Sequence, residues 1–150
     1  IMEKEEIGIK SASTLFNKHA GMLGITGISS DMREIEMAAA KGDERAILAL
    51  DIYNYKVKKY IGSYIAALEG LDILVMTGGI GENADTTRKG VLSGLEYLGI
   101  SLDLEKNKGF RSEGIISTPD SKVKILVVPT DEELMIALDT EQIVSEIVKS

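Results

Sequence analysis

The chain has 150 residues, 44% of them apolar, with 24 acidic against 17 basic side chains and a formal net charge of −7. That length predicts one domain with a real hydrophobic core, and the lack of any basic cluster argues against a nucleic-acid surface. No cysteine is present, which excludes a disulfide framework and fits a reducing cytoplasm, and the apolar runs are too short for a membrane span.

The chain begins Ile1-Met2-Glu3 without a signal peptide, so it is expected to be a piece of something longer. Residues 1–6 read as the tail of a helix interrupted by Gly8. Ser11 is placed to cap a short helix that buries Leu15 and Phe16. The glycines at 21, 24 and 27 predict a loop through residues 17–30. His19 is the single histidine, with no second histidine or cysteine to share a metal, and reads as a surface or helix-end residue. Asp31 and Glu34 form a candidate capping box for a helix that continues through Met32, Ile35 and the alanines 38–40 to Gly42. Arg33 in its first turn opposes the helix dipole, which suggests a role outside the helix. Residues 43–69 carry apolar side chains at spacings of three and four, among them Ile47, Leu50, Val57, Ile61, Tyr64 and Leu68. A helix so long and so widely apolar predicts core on one side and a subunit contact on the other, in a homodimer.

Residues 71–76 are nearly all apolar, as in a strand buried on both faces. Gly78, Gly79 and Gly81 follow. Asn83 then reads as the N-cap of a helix with Val91, Leu92, Leu95 and Leu98 on one face. Gly99 is a natural helix terminator, and Asp103 starts a short helical turn. Residues 114–118 and 123–128 are rich in β-branched side chains around Pro119-Asp120-Ser121, which predicts a hairpin. Thr130 to Glu133 reads as the capping box of a last helix that buries Leu134, Ala137, Leu138, Ile143, Val144, Ile147 and Val148.

Strand, glycine turn and helix start together can make a phosphate or ribose site, because glycines let the backbone come close and first-turn N–H groups are free. The alternative is a tight βα turn that needs glycine only for its dihedrals. Gly79, Gly81 and Ala84, with Asp103 about 20 residues on, also match the dinucleotide fingerprint in form. The short segment 100–103 and the mostly helical residues before the strand fit that dehydrogenase reading poorly.

Four motifs in register cover nearly the whole chain: Asn17-Lys18 with Gly21-Met22-Leu23-Gly24-Ile25-Thr26-Gly27, then Ser30-Asp31-Met32-Arg33, then Thr77-Gly78-Gly79-Ile80-Gly81-Glu82-Asn83, then Pro129-Thr130-Asp131-Glu132-Glu133-Leu134. This pattern resembles the C-terminal part of the acetate kinase family, within the acetate and sugar kinase, Hsp70 and actin superfamily. The resemblance implies an α/β fold: a partial ribonuclease H-like (actin-like ATPase) C-terminal domain over residues 1–150, few strands packed with long helices, the N-terminal domain absent. It implies reversible, ATP-dependent phosphorylation of acetate to acetyl phosphate with Mg²⁺. Asp31, Met32 and Arg33 align with one nucleotide-contacting motif, and Gly79, Ile80, Gly81, Glu82 and Asn83 with a second. Glu132 aligns with the family's Mg²⁺ glutamate. Asp131 departs from the family's usual asparagine. The family's N-terminal phosphate loop, its acyl-phosphate arginines and aspartate, the histidine of the same pocket and three opening strands have no counterpart here. Acetate or another short-chain carboxylate would therefore bind through the missing part, and the fragment alone is expected to be inactive. A propionate or butyrate kinase of the same family is the near alternative. A non-catalytic nucleotide-binding or dimerisation module is the alternative from another class.

Overall fold

The structure is a computed structural model that describes residues 1–149, with side chains described through residue 147. The chain divides into two compact units, Ile1–Gly70 and Leu71–Ser150. No helix among the described residues is long and apolar enough to cross a membrane.

The first unit is helical. The expected helix tail at residues 1–6 is instead a pair of turns, with the Glu5 and Ile7 N–H groups donating to the Ile1 and Met2 carbonyls at 2.8 and 3.0 Å. Glu6 has a left-handed φ of 52°, which an α-helix does not accommodate. Helix α1 (Ile9–Thr14) starts after Gly8 with no side-chain cap, not at Ser11. It buries Ala12 and leaves Leu15 and Phe16 exposed. A wider π turn (Leu15–His19) follows, and α2 (Gly21–Thr26) occupies the stretch expected to be loop. The glycines of α2 do not prevent a short helix, and Gly27 after it ends it by taking the left-handed conformation at φ 68°. The Thr26 hydroxyl donates to the Met22 carbonyl at 2.9 Å and accepts the Ile28 N–H at 3.2 Å.

Helices α3 (Met32–Ala40) and α4 (Glu44–Ala67) form the core of this unit. Asp43 caps α4 by accepting the Ala46 N–H at 2.9 Å. Ile35 packs against Ala46 and Ala49, all three fully buried, with Met22, Ile25 and Leu50 around them. Two alanines on the facing turn let the helices approach closely enough to enclose the isoleucine. Arg45 donates to the Ile25 carbonyl at 2.8 Å, a cation at the C-terminal end of α2, where the helix dipole favours it. Beyond Leu50, α4 buries no side chain fully, and Tyr55, Tyr60, Tyr64 and Leu68 are exposed.

The second unit holds a sheet of order β1-β3-β2. Strand β1 (Ile73–Met76) runs parallel to β3 (Lys124–Val127), with Ile73 opposite Lys124. Strand β2 (Gly114–Ile115) pairs antiparallel to β3, with Gly114 opposite Val127, so the expected hairpin is present. In the central strand Ile125 and Val127 are fully buried. Strand β1 is not buried on both faces as its composition suggested: Ile73 is 54% and Val75 48% exposed. It is an edge strand, and one of its faces stays uncovered by this chain.

Helix α5 (Gly78–Asn83) follows β1 at once, then α6 (Asp85–Leu92) and a single 3₁₀ turn ending at Gly99, φ 83°. Asp103 caps α7 (Leu104–Asn107) by accepting the Lys106 N–H at 3.0 Å. Val91, Leu92, Leu95, Ile100, Ile116 and Val123 are buried with the sheet residues. The last helix, α8 (Glu132–Lys149), does not bury the face expected of it. Leu134, Ala137, Leu138, Ile143, Val144 and Ile147 are all exposed; the side chain of Val148 lies outside those described.

Candidate functional site

The glycine turn is itself helical. Thr77 leaves β1 in extended conformation, φ −144°, and its hydroxyl donates to the Val128 carbonyl at 2.7 Å, so the ends of the two parallel strands are tied together. Gly78 then takes φ +69°, a conformation that glycine adopts without cost. Asn83 is the last residue of α5 and not the cap of the following helix. Its side-chain amide donates back to the Gly79 carbonyl at 3.1 Å, and α6 begins after Ala84 with no side-chain cap. The two neighbouring glycines differ. A Cβ at Gly81 would stand 2.9 Å from the Met76 carbonyl carbon, whereas at Gly79 nothing lies within 4 Å. Gly81 is required by the chain's own packing, while Gly79 faces open space.

The floor of this turn is Arg88, a residue that the motifs did not single out. It is 0% exposed. Its Nη1 donates to the Gly81 and Glu82 carbonyls at 2.9 and 2.8 Å. Its Nε donates to Asn107 Oδ1 at 2.7 Å, and its Nη2 to the Asn107 and Phe110 carbonyls at 3.2 and 2.9 Å. Burial pulls the guanidinium's pKa down and the nearby Asp85 carboxylate opposes that. A signal for it exists in the sequence: Arg88 shares the helical stripe of Val91, Leu92 and Leu95 at i, i+3, i+4 and i+7, a cation at a core position. Arg111 adds a further bond, from Nη1 to the Asn83 carbonyl.

On its other side the turn is latched to the segment before α8. Glu82 Oε1 accepts the Thr130 N–H at 2.9 Å and the Thr130 hydroxyl at 3.0 Å. The Thr130 backbone bond is the main cause holding the Glu82 carboxyl below its usual range. Glu82 thus commits one carboxylate oxygen to Thr130, 48 residues along the chain. Thr130 is therefore not the cap of α8. That helix starts at Glu132, and Asp131 caps it by accepting the Leu134 N–H at 2.9 Å. Asp and Asn cap helices about equally well, which accounts for the aspartate where the family has asparagine. Glu132 occupies the first helical position and is exposed.

No cluster of three or more His, Cys, Asp or Glu side chains stands ready for a metal among the described residues. A single exposed carboxylate at a helix N-terminus still fits Mg²⁺, which keeps several waters and takes one or two carboxylates plus substrate phosphate oxygens. Glu132 would be that carboxylate.

Asp31, Met32 and Arg33 belong to the first unit. Asp31 is the N-cap of α3, accepting the Arg33 N–H at 2.9 Å. It also accepts from the Arg33 side chain, Nε at 3.1 Å and Nη2 at 2.7 Å. The Arg33 hydrogen bond is the largest cause lowering the Asp31 pKa to about 2. The Arg33 side chain stays 86% exposed, so its ionic partner is local while most of its surface is open to solvent. The Met32 side chain is buried, which leaves its backbone as the part that can meet a ligand. The structure therefore joins residues 79–83 to the Thr130 segment in one unit and places the Asp-Met-Arg motif in the other. His19 is exposed. Asp103, the acid of the dehydrogenase reading, is occupied as the cap of α7, and Leu102 bridges antiparallel to Ser117, where the dinucleotide fold requires a second parallel strand.

The family model described as the acetokinase family matches residues 1–138. The acetate kinase of Parabacteroides distasonis is 57% identical over 147 residues, covering 97% of this chain and 37% of that protein. The acetate kinase of Thermotoga maritima is 55% identical over 150 residues, again 37% of its length. The crystal structure of Porphyromonas gingivalis acetate kinase superposes with a TM-score of 0.88 at 52% identity, over 95% of this chain and 36% of that one. A propionate kinase from Francisella tularensis superposes at 0.82 with 43% identity, over 91% and 35%. The chain thus spans a little over a third of the length of these relatives, and its small mixed sheet with long helices is part of their actin-like ATPase fold. On the sequence match and the superposition together, this chain belongs to the acetokinase family.

Proposed function

We propose that the full-length protein carrying this chain transfers the γ-phosphoryl group of ATP reversibly to acetate, giving acetyl phosphate and ADP, and that this chain supplies much of the nucleotide side of the site. The observation that carries the reading is 57% identity to an acetate kinase across 97% of the chain, with both nucleotide motifs intact. In the forward reaction a carboxylate oxygen of acetate bonds to the γ-phosphorus while the bond to the β-phosphate oxygen breaks. Such transfers depend on positioning and charge stabilisation. The backbone of residues 79–83 is assigned to nucleotide binding with its open face at Gly79; Asp31, Met32 and Arg33 are assigned to nucleotide binding by their match to the family motif, with a guanidinium able to stack or pair. Glu132 would hold Mg²⁺, which would supply charge neutralisation at the phosphates. The acyl group binds in the part of the protein outside this chain. A cytoplasmic homodimer completes the proposal, supported by the absence of cysteine and by the exposed Tyr55, Tyr60 and Tyr64 on α4.

A propionate or butyrate kinase is the second reading, favoured by the superposition on a propionate kinase. Hydroxamate trapping by the full-length protein with ATP, Mg²⁺ and each of acetate, propionate and butyrate tests both. Acetate should give the highest kcat/KM. A higher value with propionate or butyrate replaces the first reading by the second. Nucleotide binding without any acyl phosphate identifies a non-catalytic module instead.

A further inference from the structure

A buried cation must replace its water with other acceptors, or its burial is prohibitively costly. Arg88 has five N–H donors, and the bonds to Asn107 Oδ1 and to the carbonyls of Gly81, Glu82, Asn107 and Phe110 occupy them. None of these acceptors is a carboxylate. Packing alone does not call for such a group, since an apolar side chain of similar volume fills a core position at no desolvation cost.

What the guanidinium does follows from the element it holds. Helix α5 has only six residues, three of them glycine. Short helices are marginal in water, and glycine makes them more so. The element is held from outside itself. Arg88 takes the carbonyls of Gly81 and Glu82 and Arg111 that of Asn83, which are the groups left unpaired at a helix C-terminus. Because C=O and N–H of a trans peptide point in opposite directions, fixing these carbonyls fixes the opposite edge of the same peptide planes. Asn107 is itself held, its amide donating to the Asp85 carbonyl at 2.9 Å, so the anchor is stiff.

We propose that Arg88 is the positioning residue of the nucleotide turn: by gripping the Gly81 and Glu82 carbonyls from beneath, it sets the direction in which the residues 79–83 backbone meets the nucleotide. This rests on the nucleotide reading given above.

The test is made in the full-length protein. Arg88→Lys keeps the charge and loses the fork, and it should raise the KM and Kd for ATP or ADP roughly tenfold while the KM for acetate stays within about twofold. Ile116→Val, at a fully buried position whose N–H bonds to the Ile125 carbonyl of the central strand, is the control: it should lower the Tm and leave nucleotide affinity unchanged. A lowered Tm with unchanged nucleotide KM in Arg88→Lys overturns the proposal, as does an equal KM rise in the control. Should Arg88→Lys fail to fold, Asn107→Ala decides. Removing the Nε acceptor should raise the nucleotide KM severalfold, and an unchanged KM overturns the assignment. Wild-type protein that binds no ADP overturns the nucleotide reading and this proposal together; wild-type binding that Gly79→Ala weakens and Arg88→Lys spares overturns this proposal alone.

Discussion

Gly79 and Gly81 stand two residues apart in one turn, yet a methyl group would meet different surroundings at each. At Gly81 it would press on the Met76 backbone at 2.9 Å. Gly81→Ala should therefore cost about 1–3 kcal/mol as overpacking does, seen as a lower Tm with or without nucleotide. At Gly79 the space is open and the position is helical, so Gly79→Ala should be neutral or stabilising by up to about 1 kcal/mol. Weaker ATP binding by this variant, measured calorimetrically in the full-length protein, is then attributable to the ligand's close approach. Asp31 makes a second residue-scale prediction. Its folded pKa of about 2 lies below the ordinary carboxylate value, so its contribution to stability is complete above pH ~4 and is lost as the pH falls towards 2. Asp31→Asn keeps the capping oxygen and removes the pairing with Arg33. Its melting temperature should fall less steeply than wild type between pH 5 and 2, and parallel curves would show that the pair contributes nothing.

At the scale of elements, the start of α8 separates two neighbouring acids by role. Asp131 is bonded to the Leu134 N–H, so Asp131→Ala should lower stability by about 0.5–2 kcal/mol, as cap losses do. Glu132 has the free first-turn position, and Glu132→Ala should raise the Mg²⁺ needed for half-maximal activity of the full-length protein with little change in Tm. Melts and Mg²⁺ titrations of both variants check this; an unchanged Mg²⁺ requirement removes the metal role from Glu132. The helix itself shows how far pattern reaches. Its apolar residues recur as an amphipathic helix requires, and the helix forms, but Leu134, Ile143 and Ile147 stay more than half exposed. The same holds for β1, whose composition suits burial on both faces and whose edge position denies it. Both elements carry the composition of a larger fold than 150 residues complete.

For the whole molecule, the two motifs proposed to bind nucleotide lie in separate compact units, and the chain spans 37% of the length of the Parabacteroides distasonis acetate kinase. The isolated 150-residue chain should form no acetyl phosphate above background in hydroxamate trapping with ATP, Mg²⁺ and acetate. Turnover in the ordinary kinase range, about 1–100 per second, would place the acyl-binding groups inside this chain.

What the sequence determined by itself was local. The caps Asp31, Asp43 and Asp103 bond to N–H groups two or three residues away, Gly99 ends its turn at φ 83°, and the hairpin around Pro119 closes across a few residues. Such interactions depend on neighbours that the sequence places in order, and the motifs that reveal the family are likewise contiguous. Tertiary structure alone decided the rest. Thr130 reads as a cap until Glu82, 48 residues earlier, takes its hydroxyl and its N–H, which passes the capping role to Asp131. Arg88 is an ordinary helical arginine until Asn107 and Phe110, 19 and 22 residues away, close around it. A hydrogen bond between distant residues exists only when folding has brought both groups out of water to the same place, and no spacing along the chain encodes that distance.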